Sequence, residues 1–161
     1  MSEWAIEVGT KPTFIDVEGA RLSEDVADLG VARGVPAHIS RMYWLSASLP
    51  KSDVELLATR LLTDSVLQDY ALDELLCPAF HGEWTWVAEV RLKMGVTDAV
   101  GESVIKGARD LGVTGMDHAA TGTRVYLGGG LDEASARRIC ERLLVNDVIQ
   151  TYELRRVNSL V

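Results

Sequence analysis

The sequence predicts an α+β protein built from two tandem β-α-β-β-α-β repeats. Three observations predict it. First, the chain contains itself. Shifted by 82 positions, residues 4–72 align with 86–154 without a gap, and about 20 of roughly 69 pairs are identical, against the ~6% expected from average composition. Second, apolar and polar residues alternate near both ends of each copy, the period of a half-buried strand. Third, two segments of each copy repeat apolar residues at helical spacing. The expected boundaries are 1–75 for the first, more diverged repeat, 76–85 for a linker broken by Pro78 and Gly82, and 86–161 for the second repeat.

Each element follows from its residues. Trp4, Ile6 and Val8 alternate with polar neighbours, as Trp86, Ala88, Val90 and Leu92 alternate with Glu89, Arg91 and Lys93. Asp16 and Asp98 stand where a helix should start, since a carboxylate there accepts from free N–H groups. Leu22, Val26 and Leu29 share a helical face, as do Val104, Ala108 and Leu111, and Gly30 and Gly112 supply left-handed stops. Two short strands are expected next, 35–40 and 41–48, with 117–121 and 123–128 in the second copy. The second helix carries Val54, Leu57, Ala58, Leu61 and Leu62 on one face, and Ala136, Ile139, Cys140, Leu143 and Leu144 in its counterpart. Ser52 and Asp132 are its candidate N-caps. A last strand, 66–72 and 148–155, closes each copy.

Such a copy forms a largely antiparallel four-stranded sheet with two helices on one face. Tyr43 and Leu45 point to one side of it, Met42 and Trp44 to the other. Both sides are apolar, so both need cover. The expected cover is the other copy, giving a covalent pseudo-dimer of paired sheets with Trp44 and Tyr126 at the sheet-to-sheet contact.

Composition limits the function classes. The 161 residues hold 24 acidic and 16 basic side chains, a formal net charge of -8. With 47% hydrophobic residues the chain is too apolar for wholesale disorder. No apolar run approaches the ~20 residues of a membrane span. The start, Met1-Ser2-Glu3-Trp4, lacks the pattern of a signal peptide, so a cytoplasmic location without membrane contact is expected. A pI near 4.8 argues against a phosphate backbone as partner. Residues 1–82 hold about 6 basic and 13 acidic residues and 83–161 about 10 and 11, so the excess belongs to the first copy. That copy could meet a basic partner surface.

Reactive residues do not converge in the sequence. His38, His81 and His118 are scattered and read as surface or loop histidines, without the clustered donors of a metal site. Cys140 lies on an apolar helical face, where it reads as a small buried hydrophobe. Cys77, in the linker, has no visible base to activate it. Gly128-Gly129-Gly130 lacks the Lys-Ser/Thr ending of a phosphate loop and reads as a strand-to-helix turn. Capping explains Asp16 and Asp98, and tight packing explains Gly19 and Gly101. Gln68 and Gln150 recur among apolar neighbours and need hydrogen bonds. No catalytic, cofactor-binding or metal-binding residue is assigned.

The second copy runs Arg91-Leu-Lys-Met-Gly-Val-Thr-Asp-Ala-Val-Gly101 and ends Leu143-Leu-Val-Asn-Asp-Val-Ile-Gln-Thr-Tyr152. These two segments resemble the PurS family, the small subunit of phosphoribosylformylglycinamidine synthase. The first copy carries the pattern more weakly, as Lys11-Pro-Thr-Phe-Ile-Asp-Val-Glu-Gly19 and Leu61-Leu-Thr-Asp-Ser-Val-Leu-Gln-Asp-Tyr70. The family's Pro after Asn is Asp147 here and Ser65 in the first copy, and its Glu is Gln150 and Gln68. Its Gly-Lys turn between the middle strands is Gly122-Thr123, and Ser40-Arg41 in the first copy. The resemblance implies a non-catalytic scaffold in a ligase complex of de novo purine biosynthesis. Its partners would be a synthetase (PurL-like) and a glutaminase (PurQ-like) subunit, with self-association of tandem chains a further option. The chain would be a free subunit or the N-terminal part of a fused synthase. No cofactor is expected. Candidate interface residues are Met42, Trp44, Tyr126, Gln68, Gln150, Tyr70 and Tyr152. The alternative is a tandem ACT-like regulatory module that binds amino acids, a class favoured by a glycine at the first strand–helix junction, here Gly95.

Overall fold

Ten regular elements run through residues 3–76 and 84–157, the part of the chain that the computed structural model describes. The first half holds β1 (Trp4–Thr10), α1 (Val17–Leu29), β2 (Ala37–Leu45), α2 (Lys51–Leu57) and β3 (Gln68–Leu72). The second holds β4 (Trp84–Leu92), α3 (Ala99–Asp110), β5 (Ala119–Gly128), α4 (Glu133–Ile139) and β6 (Gln150–Arg156). All pairings are antiparallel, and the strands form one sheet in the order β3-β1-β2-β5-β4-β6.

Two expectations are corrected here. The two short strands expected in the middle of each half are one continuous strand, β2 or β5. The proposed Gly-Lys turn lies inside it, because Gly122 and Thr123 pair with Met42 and Arg41 without a break. Gly122 is needed there for another reason. A Cβ on it would lie 2.2 Å from the Val90 carbonyl oxygen and 2.9 Å from the Trp44 ring, which rests on the glycine. The second correction concerns the joint between halves. They do not form two four-stranded sheets packed face to face. They join edge to edge through β2 and β5 into a single sheet.

The pairing has internal symmetry. Every β1–β2 and β1–β3 pair reappears in β4–β5 and β4–β6 at the offset of 82; Glu7↔Met42 becomes Glu89↔Arg124, and Val8↔Tyr70 becomes Val90↔Tyr152. Across the joint, Arg41 pairs with Thr123, its own counterpart at that offset. A pseudo-twofold axis therefore passes between these two residues, perpendicular to the sheet.

The helices pack on one face, and they are exchanged. Leu22 and Val26 of α1 sit with Trp86, Val125 and α4 residues Ala136 and Ile139 of the second half. Val104 and Ala108 of α3 sit with Ile6, Val8 and α2 residues Val54 and Leu57 of the first half. Gly107 of α3 lies so close to Leu61 that a Cβ would be 2.8 Å from its Cδ1. Each core is thus made from both halves, and the burial of each Leu or Val in it, worth about 1.5–3 kcal/mol, depends in part on the other half. The expected helical faces are found, with one physical exception. α2 and α4 each end in a wider π turn, Ala58–Leu62 and Cys140–Leu144, closed in the second case by Val145 N–H donating to the Cys140 carbonyl at 3.0 Å. The extra residue per turn rotates Leu61 and Leu143 toward solvent.

The recurring Asp-x-x-Gly is a structural device. Asp16 Oδ1 accepts from Gly19 N–H at 3.0 Å, capping α1, while Oδ2 accepts from Ile39 N–H at 3.0 Å in β2. Asp98 repeats this with Gly101 N–H at 2.8 Å and Thr121 N–H at 2.6 Å. One carboxylate pins the first turn of the helix to the start of the following strand. The helix then runs so close that a Cβ on Gly19 or Gly101 would lie 2.4 or 2.2 Å from the carbonyl oxygen of Ala37 or Ala119. Gly30 and Gly112 take the left-handed conformation that ends the first helices. Asp132 caps α4 through Ser135 N–H at 2.7 Å, as expected. Ser52 does not cap α2. Pro50 holds that position with φ -67, and Ser52 lies within the helix.

The Gly101→Ala variant is expected to lose about 1–3 kcal/mol, the usual cost of forcing extra volume into a packed site. Chemical denaturation measures it. A change within about 0.5 kcal/mol would show that helix and strand can separate freely here.

Candidate functional site

The helix-free face of the sheet carries Met42, Trp44 and Tyr126, and all three are buried. Both faces are covered, as the apolar alternation requires, but a second sheet is not the cover. Trp44 and Tyr126 share one face of one sheet. Arg91 stacks over Trp44 with its guanidinium carbon 3.9 Å from the ring centre. Trp84, Val87, Tyr126 and Val157 form a small apolar cluster beside them. Residues 73–76, after β3, reach this face, where Leu76 lies close against Gly9.

Under that cover sits a charged network that the sequence reading missed. Glu7 is fully buried. Its carboxylate accepts from Arg124 Nη1 at 2.5 Å, Ser40 Oγ at 2.6 Å, Tyr126 OH at 2.8 Å and Leu76 N–H at 3.0 Å. Arg124 turns its other edge to Glu89 Oε2, with Nη2 at 2.6 Å and Nε at 3.0 Å. Two carboxylates that recur at one offset thus share a single guanidinium. Burial works against the Arg124 charge, but Glu7 and Glu89 outweigh it and keep the group protonated. A cleft of about 180 Å³ opens beside the network, lined by Glu74, Glu89, Arg124, Glu153 and Arg155. A signal was available in the sequence. Glu7 and Glu89 match each other on strands whose two faces both need cover, and a carboxylate on a covered face requires a partner.

His38 was expected at the surface and is fully buried instead. It shares the covered face with Ser40 and Met42 through the alternation of β2, where Tyr126 and Trp84 flank its ring at 5.9 and 6.5 Å. Its Nδ1 lies 2.7 Å from Asp16 Oδ2. Burial pushes the Asp16 carboxyl up, but hydrogen bonds from His38, Gly19 and Ile39 outweigh it and leave it below its ordinary value. His118 is half exposed and meets Glu3 at 2.7 Å. His81 and Cys77, like Pro78 and Gly82, lie outside the described residues. Cys140 is buried, and burial pushes its thiol up to about 12, so it is a neutral hydrophobe at physiological pH.

Gln68 and Gln150 close the turns before β3 and β6. Their side-chain carbonyls accept from Asp64 N–H at 2.9 Å and Asn146 N–H at 2.8 Å. Tyr70 and Tyr152 lie on the helix face at the edges of the two cores, and Tyr152 OH donates to Glu141 at 3.1 Å. The structure therefore brings Met42, Trp44 and Tyr126 onto one face and sends the other four candidates elsewhere. Gly129 and Gly130, both at positive φ, form the turn before α4. Gly95 has φ 88 in a turn closed by Val96 N–H and the Lys93 carbonyl at 3.1 Å, so chain reversal accounts for it without a ligand. No helix of the described residues is long and apolar enough to cross a membrane.

Arg124→Met installs the residue found at the matching position 42. It leaves Glu7 buried without its cation, and an expected loss of about 3–5 kcal/mol follows. Adding Glu7→Gln should recover part of that loss in equilibrium unfolding. A pH series tests Asp16. Its folded value is lowered, so its stabilisation is present above the ordinary value of 3.8 and is lost as pH falls through the folded value. Urea unfolding between about pH 5 and about pH 2 should show Asp16→Asn less stable than the natural chain at the upper end and flatter in acid.

Two comparisons bear on kinship. No curated protein matches the chain at a significant level. Residues 86–158, which hold all but the first two residues of β4 and run through the joint-forming β5 to β6, match the family model described as PurS: Phosphoribosylformylglycinamidine (FGAM) synthase.

Proposed function

We propose that this chain is a tandem PurS-like scaffold, a non-catalytic subunit of a phosphoribosylformylglycinamidine synthase complex that bridges a synthetase and a glutaminase. The observation that carries the reading is the family match over residues 86–158. The first half supports its extension to the rest of the chain, because its strand register repeats that of the second half at one offset. On this reading duplication and linkage turned a pair of separate subunits into one polypeptide. Association of the halves then becomes intramolecular, at the millimolar effective concentrations typical of short linkers.

The chemistry belongs to the partners. The glutaminase releases ammonia from glutamine, and the synthetase uses ATP to convert formylglycinamide ribonucleotide to its amidine. This chain contributes rigid surfaces. Its polar network is spent on internal pairing, and its buried thiol is held neutral.

Size-exclusion chromatography of the purified chain with cognate synthetase and glutaminase subunits, with and without ADP and glutamine, tests the reading. A three-component complex that forms only when this chain is present is expected. Failure to co-elute with either subunit under all conditions would refute it.

A further inference from the structure

The strand order leaves two edges, β3 and β6, which the internal symmetry would make alike. They differ. β3 is five residues long, and the chain turns away from the edge directly after it. Asp73 adopts φ 56, the left-handed region that favours glycine. Its N–H donates to the Ala5 carbonyl and its carboxylate accepts from Ala5 N–H, both at 2.8 Å. Asp69, Asp73 and Glu74 give that edge a single sign of charge. Shortness, a turn and like charges are the usual protections of a sheet edge. β6 lacks them. It is seven residues long, pairs with β4 along its whole length, and holds no Pro or Gly and charges of both signs. Among the described residues no strand lies beyond it. Its outer backbone groups offer a row of donors and acceptors that one more strand completes.

The residue order of β6 selects that strand. Opposed residues of an antiparallel pair share a face, and faces alternate along each strand. A twofold pairing of β6 with itself must therefore place its axis on a residue. At Leu154 the axis sets Glu153 against Arg155 of a second copy, twice over, and Leu154 against its own copy. At Glu153 it would oppose two carboxylates, and at Tyr152 it would set Glu153 against Thr151. Glu153 and Arg155 are exposed, at 66% and 54%, and pair within the chain at 2.7 Å. The contact keeps that pair. Two such pairs laid side by side in opposite directions make a square in which every charge has an opposite neighbour along its strand and another across. Leu154, half-buried at the border of the second core, gains an apolar neighbour on the helix face. We propose that β6 pairs with β6 of a second copy in the register centred on Leu154, giving a closed twofold dimer of this chain. Pairing of β6 with β3 would instead repeat from copy to copy without closing, and the protected β3 opposes it.

The contact needs no synthase partner, so sedimentation of the purified full chain alone tests it, with thermal melts to check that variants are folded. It spans residues 152–156, small enough to belong with the weak, reversible interfaces below about 1,200 Å². A monomer–dimer equilibrium between about 10 μM and about 1 mM is expected. Glu153→Arg and Arg155→Glu each set like charges across the contact, and each alone should weaken the dimer by about tenfold or more. The double exchange Glu153→Arg/Arg155→Glu restores every opposition and should return the affinity to within about threefold of the natural chain. An equimolar mixture of the two single variants should also dimerise, because one chain then presents two cations and the other two carboxylates. Amide exchange in β6 should slow as concentration rises through the transition. A natural chain that stays monomeric to about 1 mM overturns the proposal, as does growth beyond a dimer. So do single variants that dimerise as well as the natural chain, or a loss that neither the double exchange nor the mixture restores.

Discussion

All nine residues of β2 pair with β5, and this joint determines where everything else can pack. Without it each half is a three-stranded sheet whose helix face is covered only in part, because each core includes a helix from the other half. Small domains bury too little surface to be stable alone, and units of about 75 residues are close to that limit. The exchange of α1 and α3 converts two marginal cores into two shared ones. The extended pairing and the helix exchange depend on each other, since α1 and α3 reach the opposite half only when β2 and β5 are side by side.

The charged network on the other face reinforces the same joint. Glu7 and Arg124 come from different halves, and Ser40 lies between them. A one-residue slip of β5 would carry Arg124 into an apolar core and Val125 onto the covered polar face. The buried pair thus penalises wrong registers heavily, whatever its net contribution to stability, and setting register is the best-attested use of such groups. Asp16 and Asp98 do similar work at smaller scale, each fixing one helix start to one strand.

Much of this was legible in the sequence because it is local or because it recurs. The helical faces, the left-handed stops at Gly30 and Gly112, the Asp132 cap and the closing strands follow from period and capping chemistry. The repeat exposed the symmetry. The misreadings share a cause: they concern what a segment meets at long range. Ser40-Arg41 and Gly122-Thr123 look like turns until the partner strand is known, and then they are the centre of the joint. Trp44 and Tyr126 read in the sequence as a sheet-to-sheet contact and instead share one face of one sheet, because periodicity shows that a face needs cover and not what supplies it. His38 looks like a surface residue in the sequence because its partner Asp16 is 22 positions away and its counterpart at position 120 is alanine. The turns at Gln68 and Gln150 were misleading for a simpler reason, as a glutamine that closes a turn on its own backbone looks from its neighbours like one that faces a partner.

The single guanidinium between Glu7 and Glu89 has a consequence for what kind of assembly this can be. In a strict homodimer every off-axis residue comes in pairs, so an arginine at position 124 would bring a second at position 42, and the network would hold two carboxylates and two cations around one small space. An odd count is open only to a molecule whose halves are encoded separately. Met42 fills the other place with an uncharged side chain, and Arg41 looks across the axis at a threonine, not at another arginine. Joining the halves in one gene therefore does more than hold them near each other. It frees the residues around the axis from having to be compatible with themselves.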